Sequence, residues 1–397
     1  MAIDLPAASR PAPVPFYNNP KVRSVVYQIA LCTVVFLLVY GAISNAIENL
    51  QRARIASGFG FWNNTAGFDI SQTLIEYTSQ ASTYGRAFWV GLLNTLLVAG
   101  LGVVFATILG FVIGIARLSK NWLLAKVASG YVELIRNIPL LLQLLFWYNA
   151  VLKTLPDIRD SIIISGGGFL NNRGLFLPQP VFTSGFGMVE IAFILGIVAA
   201  TAFCIWARKR QMETGQQAPV FLVAFGLVIA LPLAVCALAG FPVDFIFPEK
   251  ARFNINGGIE VLPEFAALLV GLVIYTAAFI AEVVRAGILA VSRGQTEAAY
   301  SLGLRPRPTL RLVVVPQAMR VIIPPLTSQY LNLTKNSSLA VAVGYPDLVQ
   351  VFTGTVLNQT GQAVEVVAVT MAVYLTISLL TSLAMNIYNT RIALVER

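Results

Sequence analysis

Histidine is absent from this 397-residue chain, and charge is scarce: Asp, Glu, Lys and Arg together make up 11%, against roughly a quarter in soluble proteins. Without histidine the commonest general base and metal ligand is missing, and the 18 acidic residues are scattered rather than clustered. Hydrolytic and metal chemistry within the chain are therefore disfavoured. The three cysteines, Cys32, Cys204 and Cys236, all fall inside apolar runs, are odd in number and show no metal-ligand spacing; they read as small buried hydrophobes. No G-x-x-x-x-G-K-[ST] occurs anywhere, so the chain has no nucleotide site of that type. No repeat at a fixed period is visible either.

What the chain has instead is apolar length. Hydrophobic residues make up 57%, in continuous runs of the size that crosses about 30 Å of hydrocarbon. Because the runs do not alternate in polarity, helices rather than barrel strands follow. The pattern predicts an all-α polytopic membrane protein of eight helices, at 24–45, 88–115, 131–152, 188–207, 220–240, 262–289, 313–338 and 362–386. Pro316, Pro324 and Pro325 interrupt the seventh and suggest a broken helix beside a cavity.

Alternating the helices from an internal N-terminus places 18 of the 27 Lys and Arg on the inner side, and 12 of the 18 acids outside. Arg208-Lys209-Arg210, just after the fourth helix, is the sharpest local statement of that bias. Both termini are then cytoplasmic, and the charge of +9 reflects loop topology, not nucleic acid. Residues 1–23 hold five prolines and read as a cytoplasmic leader; the first apolar run is long and lacks a clean cleavage site, so it reads as a retained helix rather than a signal peptide.

The inner loop around 290–312 carries the most information. Ser292 and Gln295 have capping-box spacing, so a short helix is expected through Glu297-Ala298-Ala299-Tyr300. Gly303 suits a left-handed C-cap, and Pro306 or Pro308 suits the first turn of a second short helix carrying Arg307 and Arg311. Two small helices at an angle make a compact knob suited to a groove on a partner.

Glu297-Ala298-Ala299, then Gly303, then Val313-x-Val315-Pro316 resembles the EAA loop of ABC importer permeases, with valines where that family more often has isoleucine and leucine. Three further segments, Tyr131 to Gln143, Tyr275 to Gly287 and Leu333 to Ala340, resemble signatures of the polar amino-acid uptake permeases. The resemblance covers 88–152 and 262–386 and implies a type I permease core of five helices. Three additional helices enlarge it: one in 24–87 and two in an insertion at 153–261; residues 387–397 form a tail. This long form is similar to the Q-type permeases of the general L-amino acid systems, and of the related glutamate, glutamine, aspartate and asparagine systems, of alphaproteobacteria. The resemblance implies a subunit of the bacterial inner membrane that is not itself an enzyme. Its implied partners are a second, related permease, a periplasmic amino-acid-binding protein and an ATPase dimer that binds ATP and Mg. Glu297, Ala298, Ala299, Gly303 and Arg307 would couple to that ATPase.

Polar residues inside the apolar runs are the candidates for the solute path: Gln143, Thr276, Lys335, Asn336, Ser337 and Ser338. An ammonium, an amide and hydroxyls suit the carboxylate and ammonium of a zwitterion, although a snorkelling lysine with helix-contact serines has the same pattern. Glu133 with Arg136, and Glu282 with Arg285, are spaced i, i+3 and read as ion pairs near cytoplasmic helix ends. An ion-coupled secondary transporter is the alternative class, but it would want inverted repeats and membrane carboxylates, and neither is evident.

Overall fold

The structure, a computed structural model, describes residues 20–52, 58–251 and 254–392; most of the leader and the last five residues lie outside them. Among the described residues seven helices are long and apolar enough to cross a membrane, and a bent pair makes an eighth span. They are α1 (Pro20–Arg52), α2 (Tyr84–Ala116), the pair α3 (Trp122–Asn137) and α4 (Leu140–Leu152), α5 (Phe186–Thr214), α6 (Val220–Leu238), α7 (Pro263–Leu289), α9 (Pro306–Ala342) and α11 (Ala363–Ile392). Between them lie a short α8 (Arg293–Ser301) and α10, which runs from Val349–Val356 into Leu357–Thr360.

The third expected helix, 131–152, is not one straight rod. It starts at Trp122 and bends by 105° after Asn137. Pro139 lacks an N–H and drives the residue before it out of the helical region, and Ile138 is extended at φ −103°, ψ 127°. Pro324 and Pro325 do not break the helix as expected, although Pro324 does line a cavity, with Thr327 and Leu379. The α-helical part of α9 runs through both of them, from Val315 to Asn336. Both prolines are exposed, so the ring and the carbonyls it frees lie on the open side of the helix. The irregular turns sit at either end of that part, a π turn at Leu310–Val314 and a 3-10 turn at Ser337–Ala342. Arg208-Lys209-Arg210 do not follow the fourth span but lie in its last turns, since α5 continues to Thr214.

The core is built on α2 and α7, which approach closely because one presents glycines to the other. A Cβ on Gly110 would lie 2.6 Å from Ile280 Cβ, and one on Gly114 2.8 Å from Ala281 O. Ala106, Ile280, Val284, Ala318, Ile322 and Leu333 join α2, α7 and α9 in one buried cluster. At the opposite end of the bundle from α8, Ala87 and Phe88 of α2 pack on Val351, Phe352 and Val356 of α10. Small residues at such contacts are what membrane helices use where no hydrophobic effect drives them together.

The insertion holds two spans and, unexpectedly, strands. A four-stranded antiparallel sheet runs β1 (Ile162–Ile164), β2 (Gly168–Asn171), β3 (Gly174–Leu177), β8 (Ile259–Val261); β4 (Gln179–Phe182) pairs with β5 (Val243–Ile246), and β6 (Glu249–Lys250) with β7 (Ile255–Asn256). Helices α5 and α6 pack chiefly on each other, with Ala192, Gly196, Ala200 and Ala207 buried at their contact and Gly196 against the Leu227 carbonyl. Helix α1 has no buried residue in its membrane-crossing window.

Candidate functional site

The loop after α7 forms the expected knob, by a partly different route. Helix α8 ends in a Schellman motif: Gly303 takes φ +79°, its N–H donates to Tyr300 O at 2.9 Å, and Leu304 N–H donates to Ala299 O at 3.1 Å. Only glycine adopts that conformation freely. The capping box is not formed, because Ser292 makes no side-chain cap and Gln295 Oε1 instead accepts from Gln317 Nε2 at 3.2 Å. Pro306 stands in the first turn of the next helix. That turn is not a separate short helix but the beginning of α9 itself, so Arg307 and Arg311 ride on a membrane-crossing element.

Burial sorts the knob's residues. Ala299 is 4% exposed and faces inward, where a larger side chain would hold α8 away from the chain it packs on. Glu297, Ala298, Gly303 and Arg307 are exposed, and around them Leu302, at 82% exposure, Tyr300, Leu310 and Leu312 present apolar surface. Glu297 makes no ion pair among the described residues. The result is a mixed apolar and basic patch with one unpaired acid.

Of the two expected ion pairs one is present. Glu282 Oε1 lies 2.6 Å from Arg285 Nη2, and Glu282 Oε2 also meets Arg117 from the end of α2. Arg117 was not anticipated; it is the first basic residue after the second apolar run, a signal available in the sequence. Glu133 and Arg136 do not pair among the described residues. The Arg136 guanidinium lies 5.1 Å from the centroid of the Phe279 ring, and Asn137 Nδ2 donates to Glu133 O at 2.7 Å.

The candidate path residues separate in the same way. Gln143 is buried, and its Nε2 donates to Ile135 O and Ile138 O, each at 2.9 Å; it closes the carbonyls that the α3–α4 bend leaves open. Thr276 is 3% exposed inside α7, and Ser337 is fully buried and donates to Thr334 O at 2.7 Å. All three are thus enclosed within the bundle. Lys335 is exposed and Asn336 and Ser338 are half-exposed, with Ser338 donating to Lys335 O at 2.7 Å.

One buried acid was missed. Asp347, 1% exposed, lies between α9 and α10, where its Oδ1 accepts from Gln350 N–H at 2.8 Å and its Oδ2 from the Tyr374 hydroxyl at 3.1 Å. Burial pushes its carboxyl up to about 7, against the pull of those donors. A single acid in a loop carries no sequence signal of burial.

Comparison with known proteins agrees with this architecture. Residues 195–394 match the family described as the binding-protein-dependent transport system inner membrane component. Over 96% of this chain and 94% of the relative, it is 53% identical to the general L-amino acid transport system permease protein AapQ of Rhizobium johnstonii. It is 52% identical to the putative amino-acid ABC transporter permease protein YhdX of Escherichia coli, over 96% and 97%. The glutamate/glutamine/aspartate/asparagine transport system permease protein BztB of Rhodobacter capsulatus is 42% identical over the whole of both chains. A match of this length, on a bundle of apolar helices with an exposed knob between two spans, makes the chain a member of the inner-membrane permease family of amino-acid ABC importers.

Proposed function

We propose that this permease moves polar L-amino acids from periplasm to cytoplasm by alternating access, driven by a separate ATPase dimer that docks on the α8 knob. The ATPase brings ATP and Mg, since this chain has no phosphate loop. A periplasmic binding protein delivers the solute, and a second, related permease completes the path. The knob end is cytoplasmic and the β-stranded end periplasmic, in keeping with the bias of basic residues.

The observation that carries the reading is the construction of the knob. Its first leg is α8, fixed by the Gly303 cap; its second is the first turn of α9, which continues for 37 residues from Pro306 to Ala342. Force on Glu297, Leu302 or Arg307 therefore has a rigid route into the membrane. A docked partner that closes on nucleotide binding would tilt α9, and α7 and α2 packed against it, between an outward-open and an inward-open state.

In cells expressing the complete system, Glu297→Lys and Gly303→Asp are expected to leave the permease in the membrane at normal level and to abolish ATP-linked amino-acid uptake. Uptake at the parental rate with either substitution would remove the coupling role from the knob.

A further inference from the structure

The groove that Pro324, Thr327 and Leu379 line between α9 and α11 changes character along its length, and the change follows the bilayer. Its depth can be read from α2, which crosses between Arg86 and Arg117. Halfway between those arginines is Gly102, where an added Cβ would lie 3.0 Å from Leu333 Cδ2, so Leu333 marks the middle of the span on α9. At the rise of an α-helix, Thr327 stands about 9 Å from that level towards the knob, Pro324 about 14 Å and Arg320 about 20 Å. The hydrocarbon ends about 15 Å from the midplane. The groove therefore runs from the acyl chains of one leaflet outwards, and Arg320 stands at the level of the headgroups.

On the other wall, α11 supplies Leu379 and Leu383 at the deeper end and Asn386 and Asn389 at the shallower end, around a cavity of about 480 Å³. Neither asparagine amide has a partner among the described residues. Arg320 lies one turn beyond Pro324 on the same side of α9. Its Nε is buried without a hydrogen-bond partner, and it makes no ion pair among the described residues. Of the described side chains that hold a buried, unpartnered polar atom, Arg320 alone is charged; Arg307, Arg311 and Lys335 on the same helix are exposed. Neither wall brings it an acid. Pro306–Ala342 contains none, and the one acid of α11, Glu365, is at the far end, where it accepts from the Gly58 N–H. A cation shut away in this manner is stable only with an anion beside it.

We infer that this groove is a binding site for an anionic phospholipid of the cytoplasmic leaflet, with the lipid phosphate held by Arg320. A guanidinium takes a phosphate through two parallel N–H···O bonds. The Asn386 and Asn389 amides donate to the phosphate and to the glycerol oxygens below it, and Leu379 and Leu383 meet the start of an acyl chain. Basic pockets between membrane helices on the cytoplasmic side suit such headgroups. A zwitterionic lipid offers the same phosphate but brings an ammonium to a place that already holds an unopposed cation, so a headgroup of net negative charge is preferred. A free phosphate ion has nothing to give the apolar end. A lipid seated here touches both α9, the membrane leg of the knob, and α11. The inference takes from the importer reading only that the knob end is cytoplasmic.

The test is photolabelling of the assembled complex of both permeases and the ATPase, in phosphatidylcholine nanodiscs, by a phosphatidylglycerol that carries a diazirine near the start of one acyl chain. Label is expected on residues 379–389. Added phosphatidylglycerol should remove it at least tenfold more effectively than added phosphatidylethanolamine, and inorganic phosphate should leave it in place. Arg320→Gln should lower the labelling at least fivefold, Asn386→Leu should lower it several-fold, and Arg320→Lys should keep the preference for the anionic lipid. Parental labelling by Arg320→Gln, or equal displacement by the two lipids, overturns the assignment. Displacement by inorganic phosphate overturns it in favour of a free anion. An unlabelled 379–389 stretch in the parent overturns it too and marks the groove as covered by the companion permease. Failure of the side assignment looks different: the labelling persists while the knob proves accessible from outside intact cells.

Discussion

Gln143 shows how a polar residue in an apolar run can bond to the backbone of its own neighbourhood. The bend at Ile138–Pro139 costs nearby carbonyls their usual helical donors, since Pro139 has no N–H to give. The Gln143 amide reaches back to two of them at 2.9 Å. Gln143→Leu is therefore expected to lower the stability of the solubilised complex by about 2 kcal/mol, read as a fall in its melting temperature. A variant as stable as the parent would show that other donors close the bend. The position of the bend was legible, because a proline in an apolar run is visible to anyone reading the chain. Its donor was not, because the same glutamine suits a solute contact equally well until the backbone geometry is known.

At the scale of elements, the spans were readable from apolar length alone, and the knob from its glycine and proline punctuation. The helix α10 was not. Its twelve residues, Val349–Thr360, are too short to span, and Thr353-Gly354-Thr355 break the apolar pattern. Tertiary contact holds it: Phe352 is fully buried, its ring centroid 5.3 Å from that of Phe88 on α2. Asp347 fastens the start of this element and gives it a pH dependence. Its carboxyl titrates higher in the fold than in the unfolded chain, so the fold favours the protonated form. That contribution is intact below pH of about 4 and is lost as pH rises through about 7. Asp347→Asn keeps an acceptor for Gln350 and removes the titration. Thermal melting should show the variant gaining on the parent at pH 8 and matching it most closely near pH 5; a constant offset across that range would discard the account.

At the scale of the molecule, α1 and the α5–α6 hairpin stand apart from the five-span core and expose apolar side chains along their length. Lipid and companion subunits are the natural cover for such faces. The proposed orientation is open to direct measurement. In a chain with Cys32, Cys204 and Cys236 replaced by serine, a cysteine at Ser292 on the knob should react with a membrane-impermeant maleimide only in inverted vesicles. A cysteine at Asn172, beside β2, should react only from outside intact spheroplasts. The opposite pattern would invert every side assigned above. Why the extra spans form a separate hairpin was not evident in the sequence, because the strands that gather its ends are three or four residues long and pair across more than eighty positions.

That pairing changes what kind of object the insertion is. Leu177 and Ile259 are direct partners in the antiparallel register of β3 and β8, so everything from 178 to 258 leaves and re-enters the fold through one doorway a single strand-spacing wide. Such a segment has the topology of a cassette: it could be lengthened, exchanged or removed without re-threading the helices beneath. The junction is also a ready-made graft point, where a tight turn joining the two strands would yield a miniature of the parent, or a fluorescent domain could be seated outside the membrane.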